Sequence, residues 1–364
     1  MKEAGNIEAL SLWFAAGVAA GTVLAGFSTE SSYFAAGALP VVLLSGSVLL
    51  RERLRRSSRQ AAAVVLGIIF LLLGVFSALN ASFPAVPVEG PIRRAAEKAV
   101  FALRSLIGRI PFPHEGTGPL LLALLTGDRS ALSRETVAVF RSSGAAHLLA
   151  LSGLHLGIIY LLFDRLSQAF GHAPAARRLR YGLILSGAGF FTLMTGASPS
   201  IVRAFLFIAI NETLRLLGRP RKAVRVLCLA LFIQLVLDPS VIRNTGFQLS
   251  YLAMAGIFLV FPVLEGWYPA TGHADPVRWL WKTAALSLSC QLFTGPLAWF
   301  RFHTFPKYFL LTNLLAIPLT TALMTAAVTT VALSAAGICP FMLARATDML
   351  CSLLVKVLEI ISSM

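Results

Sequence analysis

Between His147 and His155 the chain sets two imidazoles and one hydroxyl, Ser152, into an otherwise apolar run. Ser152 and His155 stand one helical turn apart, the spacing at which a serine nucleophile can meet its general base. No carboxylate lies nearby in sequence to orient that imidazole, and serine hydroxyls in apolar helices often satisfy backbone groups instead. His147 and His155 are eight residues apart, about 12 Å along a helix, too far to share one metal ion unless the chain folds between them. Metal chemistry is set aside on that ground, and no cofactor is expected. Gly153 beside Ser152 weakens a helix at that point. A helix break in an apolar medium is tolerated only where the freed backbone groups meet protein or water, so the segment reads as the lining of a hydrated cavity.

A second polar cluster runs from Thr195 through Gly196, Ser198, Pro199 and Ser200 to Arg203. It reads as a tight turn leading into an apolar helix, with Arg203 about one turn inside. That guanidinium either snorkels to lipid headgroups or presents a fixed fork to phosphates, and residue physics does not choose between the two. Lower in the same helix Glu212 and Arg215 are spaced to pair at i, i+3. Asn244, Gln248, Gln291 and Asn313 are amides on apolar segments, suited to interhelical hydrogen bonds or to a polar lining. Gly295, Pro296 and Pro318 are expected to interrupt two further helices.

The elements that must position these residues are membrane helices. Apolar residues make up 57% of the chain and charged residues 13%, with a mean hydropathy of +0.79, whereas a soluble domain carries about 25% charged residues. Apolar stretches long enough to cross a hydrocarbon core recur at 10–27, 33–50, 61–79, 147–163, 181–195, 201–217, 226–237, 246–261, 283–300, 309–335 and 341–361. The fold class expected is all-α and polytopic, with about eleven crossings (roughly ten to twelve). The last stretch carries Arg345, Asp348, Lys356 and Glu359, so it either spans the bilayer or lies on its surface.

The net charge of +15 is concentrated in short basic loops at 51–59, 165–180 and 215–225. Placing the first of these in the cytoplasm places the others there too, which is the positive-inside pattern. The N-terminus is then cytoplasmic, the C-terminus external, and the charge says nothing by itself about nucleic acid. A cleaved signal peptide is not expected, since Glu3 and Glu8 leave Lys2 as the lone basic residue ahead of an overlong apolar run. Cys228, Cys290, Cys339 and Cys351 are scattered without CxxC spacing and read as small buried hydrophobes.

The same count puts 80–144 outside. There Ile92, Ala95, Ala96, Ala99, Leu103, Leu106, Ile107 and Ile110 recur at helical spacing, with Arg93, Arg94, Glu97, Lys98, Arg104 and Arg109 on other faces. A helix from Pro91 to about Pro111, lying flat at the membrane interface, is expected. A second should start at Ser133, which can cap it, with Leu132 and Val137 spaced as a staple, and end near Gly144. The chain divides accordingly into an N-terminal three-helix segment (1–80), an external amphipathic segment (81–145) that could form a gasket at a pore mouth, a core (146–338) and a C-terminal helix (339–364).

Two runs then carry a resemblance. The run Leu120-Leu-Leu-Ala-Leu-Leu-Thr-Gly127-Asp128-Arg129 and the run Phe140-Arg141-Ser-Ser-Gly144-Ala-Ala-His147-Leu-Leu-Ala-Leu-Ser152-Gly153-Leu154-His155 resemble the signature of the ComEC competence family. Three more blocks follow in that family's order: Gly196-Ala-Ser-Pro199-Ser200-Ile-Val-Arg203-Ala204, Gly246-Phe247-Gln248-Leu249-Ser250, and Asn313-Leu-Leu-Ala-Ile-Pro318. The resemblance covers 116–335. It implies a channel in the bacterial cytoplasmic (inner) membrane that imports single-stranded DNA during natural transformation. His147, Ser152, Gly153, His155, Arg203, Gln248 and Asn313 are then the DNA-channel candidates. Gly127, Asp128, Arg129, Arg141, Gly144, Pro199, Ser200, Gly246, Phe247, Ser250 and Pro318 form the structural motif.

Partners implied are single-stranded DNA, the lipid bilayer, and separate DNA-binding, nuclease and motor proteins; a homo-oligomer is left open. Longer members of that family carry an external oligonucleotide-binding fold, for which 81–90 has no room, and a metallo-β-lactamase-like domain, whose histidine cluster has no counterpart among the dispersed His114, His147, His155, His172, His273 and His303. No GxxxxGK[ST] pattern occurs, so no enzyme activity is expected and the driving force falls to partners. The competing readings are an intramembrane hydrolase built on Ser152 and His155, and a non-conducting scaffold of an uptake complex.

Overall fold

The structure is a computed structural model that describes residues 4–24, 59–80, 90–168, 170–171, 173–268, 275–303, 307–338 and 341–364. Among these all regular structure is helical, with fifteen α-helices, one 3₁₀ turn and no strand. The expected span at 33–50, the basic loop at 51–59 apart from Arg59, and Cys339 lie outside the described residues. In chain order the helices are α1 (Ala4–Leu24), α2 (Arg59–Asn80), α3 (Pro91–Arg109), α4 (Thr117–Thr126), α5 (Arg134–Ser142), α6 (Ala146–Leu149), α7 (Gly153–Gln168) and α8 (Pro174–Met194). They continue with α9 (Pro199–Leu216), α10 (Ala223–Leu237), the 3₁₀ turn Pro239–Arg243, α11 (Thr245–Leu259), α12 (Phe261–Glu265), α13 (Pro276–Phe302), α14 (Phe309–Ala335) and α15 (Phe341–Ser362).

Among the described residues one helix, α14, is both long and apolar enough to cross a membrane, and 33% of its most apolar window is buried in protein. Shorter apolar helices occupy Ile7–Val23, Leu66–Leu79, Ala223–Leu237 and Thr245–Leu259, each where a span is expected from sequence. Two expectations need correction. Pro296 and Pro318 do not interrupt their helices: α13 and α14 run through them as continuous 27-residue elements. A proline removes one backbone donor and crowds the preceding turn, and in an apolar bundle the neighbouring helices hold such a helix together.

The chain divides into two compact units that interleave in sequence, Met1–Val88 with Leu206–Tyr251, and Glu89–Phe205 with Leu252–Met364. In the first, α1 and α2 lie backbone to backbone. Gly17 and Gly21 on α1 and Gly74 on α2 sit where an added Cβ would overlap the facing backbone, Gly17 against the Leu71 carbonyl and Gly74 against that of Phe14. Small residues four apart permit this approach, the means by which helices associate where no hydrophobic driving force separates them from lipid. Phe14 then meets Phe232 of α10 edge to face at 5.0 Å, within a core of Phe14, Val18, Ala78, Leu235, Val241 and Phe247. The pairing of Glu212 and Arg215 is present at 3.4 Å.

The second unit is organised around α4, an apolar helix that the sequence reading left unassigned. Every residue from Leu120 to Thr126 is buried. Around it pack Phe140 of α5, Leu148 and Leu149 of α6, Ile158 of α7, Leu323, Met324 and Ala327 of α14, and Cys351, Leu354 and Leu358 of α15. The amphipathic helix α3 also belongs here. Its apolar stripe is covered by protein, since Ala96, Ile107 and Ile110 are buried and α3 packs on α4, α8 and α14. The α5 helix begins as expected, with the Ser133 hydroxyl accepting the Thr136 N–H at 3.0 Å.

Substituting Gly17 by Val should force α1 and α2 apart and destabilise the first unit by about 1–3 kcal/mol. Gly108→Ala, where an added Cβ meets nothing, should be neutral or better. Thermal unfolding of the detergent-solubilised chain checks both, and an unchanged midpoint for Gly17→Val would remove the close approach.

Candidate functional site

The segment from His147 to His155 is folded as a broken helix. The α6 helix stops at Leu149, Ala150 turns to an extended conformation with ψ 126°, and α7 starts at Gly153. The start of α7 is closed by a reciprocal cap. The Ser152 hydroxyl accepts the Leu154 N–H at 3.3 Å, and the His155 ring reaches back so that Nδ1 accepts the Ser152 N–H at 3.2 Å. This is a capping box in which histidine holds the place usually taken by Glu or Gln.

The cap fixes the imidazole. A backbone N–H only donates, so Nδ1 is the acceptor and the proton of the neutral ring sits on Nε2. The Ser152 hydroxyl, 3.1 Å from the same Nδ1, donates to it as well. His155 is 1% exposed, and its Nε2–H has no hydrogen-bond partner among the described residues. A buried donor left without a partner costs about 1–3 kcal/mol, so the site holds an unsatisfied donor facing inward.

Two other sequence blocks brace this break. Arg129 donates to the Leu149 carbonyl at 2.8 Å, taking one of the acceptors that the end of α6 leaves open. Gly127 adopts φ 79° as the C-cap of α4, and an added Cβ there would lie 2.6 Å from Leu151; glycine is needed both for the left-handed turn and for the room. Asp128 between them accepts from Arg104 of α3 at 2.7 Å and from the Ser130 N–H at 3.0 Å. Thus Gly127-Asp128-Arg129 joins the amphipathic helix α3 to the break. At the other end Gly144, φ 83°, turns the chain from α5 into α6, and Thr312 of α14 donates to the Ser143 carbonyl at 2.6 Å.

Arg203 approaches from α9. It is 6% exposed, and its guanidinium nitrogen would lie 3.2 Å from a Cβ added to Gly153. The absence of a side chain at 153 therefore lets the guanidinium lie against the start of α7. Arg203 is held there by the turn before it, in which Gly196 and Ala197 take positive φ and Pro199 occupies the first position of α9. Ser198 Oγ, Gln291 Nε2, Asn313 Oδ1 and Thr320 Oγ1, all in the second unit, are further buried polar atoms with no partner among the described residues.

The structure brings together Ser152, Gly153, His155 and Arg203. His147 is exposed on α6, its Nδ1 3.1 Å from the Gly144 carbonyl. Arg141 is exposed on α5. Gln248 belongs to the first unit, where its amide donates to the Ile242 carbonyl at 2.7 Å and Phe247 fills the core beside Tyr251 at 4.7 Å; Gly246 and Ser250 flank them. Sequence reasoning missed Asp348. It is 3% exposed on α15 and accepts from the Thr117 hydroxyl at 2.6 Å, the His114 N–H at 3.1 Å and His114 Nδ1 at 2.7 Å. The signal was a carboxylate in an apolar helix, one of the charges that left that stretch either spanning the bilayer or lying on its surface; it ties α15 to the start of α4.

Regular structure that is all helical among the described residues, with an apolar core and a buried, capped helix break, follows the pattern of helical membrane proteins where backbone must meet polar partners. Sequence comparison makes the class specific. The profile of the family described as Competence protein matches residues 124–364, and the chain belongs to that family. It is 27% identical over 206 residues to ComE operon protein 3 of Bacillus subtilis, an alignment covering 57% of this chain and 25% of that protein. It is 26% identical over 213 residues to Recombination protein 2 of Haemophilus influenzae (55% and 26%) and 31% identical over 181 residues to Competence protein ComA of Neisseria gonorrhoeae (48% and 25%). The aligned region thus spans about a quarter of the length of these relatives. No solved structure matches the chain.

Hydrogen bonds from the Ser130 hydroxyl and N–H, with the Arg104 guanidinium adding to them against some desolvation, hold the Asp128 carboxyl below its ordinary value. A lowered folded-state pKa gives stability that is fully present above the unfolded value, about 3.9 for Asp, and lost as pH falls through the folded value. Wild-type melting temperature should therefore fall more steeply below about pH 4 than that of Asp128→Asn. Parallel acid limbs in the two proteins would mean that the contacts of the Asp128 carboxylate with Ser130 and Arg104 carry no stability.

Proposed function

We propose that this chain lines a passage for one strand of DNA across the bacterial cytoplasmic membrane. On this reading its helices cross the bilayer about eleven times, with the N-terminus cytoplasmic and the C-terminus outside. Membership of the competence family supports a role in DNA uptake, and relatives bear the names competence protein and recombination protein. The observation that carries the passage reading is the buried break at Ser152–Gly153. There a buried Nε2–H of His155 has no hydrogen-bond partner among the described residues, and the Arg203 guanidinium lies against backbone. A strand moving past needs donors that hold phosphate oxygens weakly enough to release them, and a neutral imidazole is such a donor. Degradation of the other strand and the driving force belong to partner proteins.

The hydrolase reading draws on the 3.1 Å contact between Ser152 and His155. In that contact the hydroxyl also accepts the Leu154 N–H, and the imidazole nitrogen that would act as base already accepts the Ser152 N–H. The pair therefore has a complete structural role as a cap.

Import of labelled DNA into the cytoplasm tests the proposal, comparing a deletion, the restored wild type, and Arg203→Glu, Arg203→Lys and Ser152→Ala chains at equal membrane abundance. Deletion and Arg203→Glu should leave DNA at the surface, Arg203→Lys should restore part of the import, and Ser152→Ala, which loses a cap of about 1 kcal/mol, should import nearly as wild type does. Import that persists in the deletion strain overturns the passage reading. Complete loss in Ser152→Ala at normal abundance transfers the case to the hydrolase.

A further inference from the structure

The α3 helix presents to solvent a face that the packing of the second unit does not use. Its buried stripe is centred on Ala96, Leu103 and Ile107. At 100° per residue the opposite face is centred on Arg94, Lys98, Phe101 and Ser105. Phe101 is 74% exposed, and the residues one turn from it on the helix surface are Glu97, Lys98, Arg104 and Ser105, of which Glu97, Lys98 and Arg104 are exposed. The helix carries five basic residues, Arg93, Arg94, Lys98, Arg104 and Arg109, against one acid, Glu97. Arg93 pairs with Glu97 and Arg104 with Asp128; Lys98 and Arg109 have no acidic partner among the described residues.

We infer that this face of α3 is a docking surface for single-stranded DNA, an inference that rests on the passage reading and its topology. That topology places α3 outside, where the positive-inside rule gives no reason for a helix of net charge +4, so the charge calls for a polyanionic partner. An aromatic ring standing open among cations is the pattern by which proteins hold single strands without regard to sequence, bases stacking on the ring and phosphates meeting the cations. A lipid-embedded helix needs a contiguous apolar face. The apolar stripe of α3 is already spent on α4, α8 and α14, and among the described side chains Phe101 is the one large apolar group on the open face. The occupant is therefore the strand: Phe101 stacks a base, and Lys98 meets its phosphates.

The test uses the 364-residue chain in nanodiscs of zwitterionic lipid and measures binding of fluorescent oligo-dT and of an abasic strand of equal length. Wild type should prefer oligo-dT. Phe101→Ala should weaken oligo-dT binding by about tenfold and abolish that preference, while Phe101→Trp should retain it and show indole quenching when oligo-dT is added. Lys98→Ala should lower the slope of log K against log salt by about 0.7. Wild-type binding by Phe101→Ala and Lys98→Ala, or effects that appear only in discs containing anionic lipid, would overturn the inference and assign the face to lipid. The two readings fail separately. If cells import DNA without this chain while the variants lose oligo-dT, the docking surface stands and the passage reading falls; if import requires the chain but the variants bind and import as wild type does, the reverse holds.

Discussion

The constraint on which the second unit depends is the need to satisfy the backbone where α6 ends and α7 begins. A helix interrupted in apolar surroundings exposes carbonyls on one side and N–H groups on the other, each costly to leave bare. This chain answers with side chains drawn from separated parts of the sequence. Arg129 takes a carbonyl of α6, while Ser152 and His155 close α7. The glycine at 153 that weakens the helix also admits the Arg203 guanidinium. The elements that surround the break follow from holding those groups in place. The turn after the buried, apolar α4 carries Arg129, and α3 is clamped to the same turn through Arg104 and Asp128.

The C-terminal helix fits the same logic from the opposite side. Its buried stripe runs Ala344, Thr347, Asp348, Cys351, Leu354, Leu358 and Ile361, a helical period that places one carboxylate among apolar residues. A carboxylate in that setting is stable only with donors, and three converge on it from His114 and Thr117. The segment between α3 and α4 is thereby fixed at its far end, so the turn after α4 and the break it braces rest on a helix held at both ends.

Much of this was legible in the sequence, and the part that was not has a physical reason. Periodicity gave the helices, the Ser133 cap and the Glu212–Arg215 pair, because these depend on neighbours within one turn. The break itself was legible from Gly153 in an apolar run. What bound it was not, since Arg129 and Leu149 are separated by 20 residues and Asp348 and Thr117 by 231, and no local pattern encodes such contacts. The apolar run at Leu120 was read only as part of the family signature within the external segment 81–145, although it is the centre of the unit's core. The prolines misled in the other direction. Pro318 breaks a helix in water, yet α14 continues through it, because propensity measured in isolation is overridden by packing.

The two polar surfaces of the second unit differ in kind, and the difference bears on how a strand could be drawn inward. The open face of α3 is cationic, so any hold on phosphate there is strong at low salt and falls steeply as salt rises. The break offers one guanidinium lying against backbone and one neutral imidazole donor, the His155 Nε2–H, which has no hydrogen-bond partner among the described residues. Neutral donors hold an anion far less firmly than cations do. On the proposed function, a cationic docking face followed by a neutral donor at the break would capture a polyanion without trapping it, whereas basic residues throughout would arrest the strand where it first bound. The contact that joins α3 to the break adds a second consequence for the proposed function: Arg104 is already paired with Asp128, so the open cations of α3 lie on its other face.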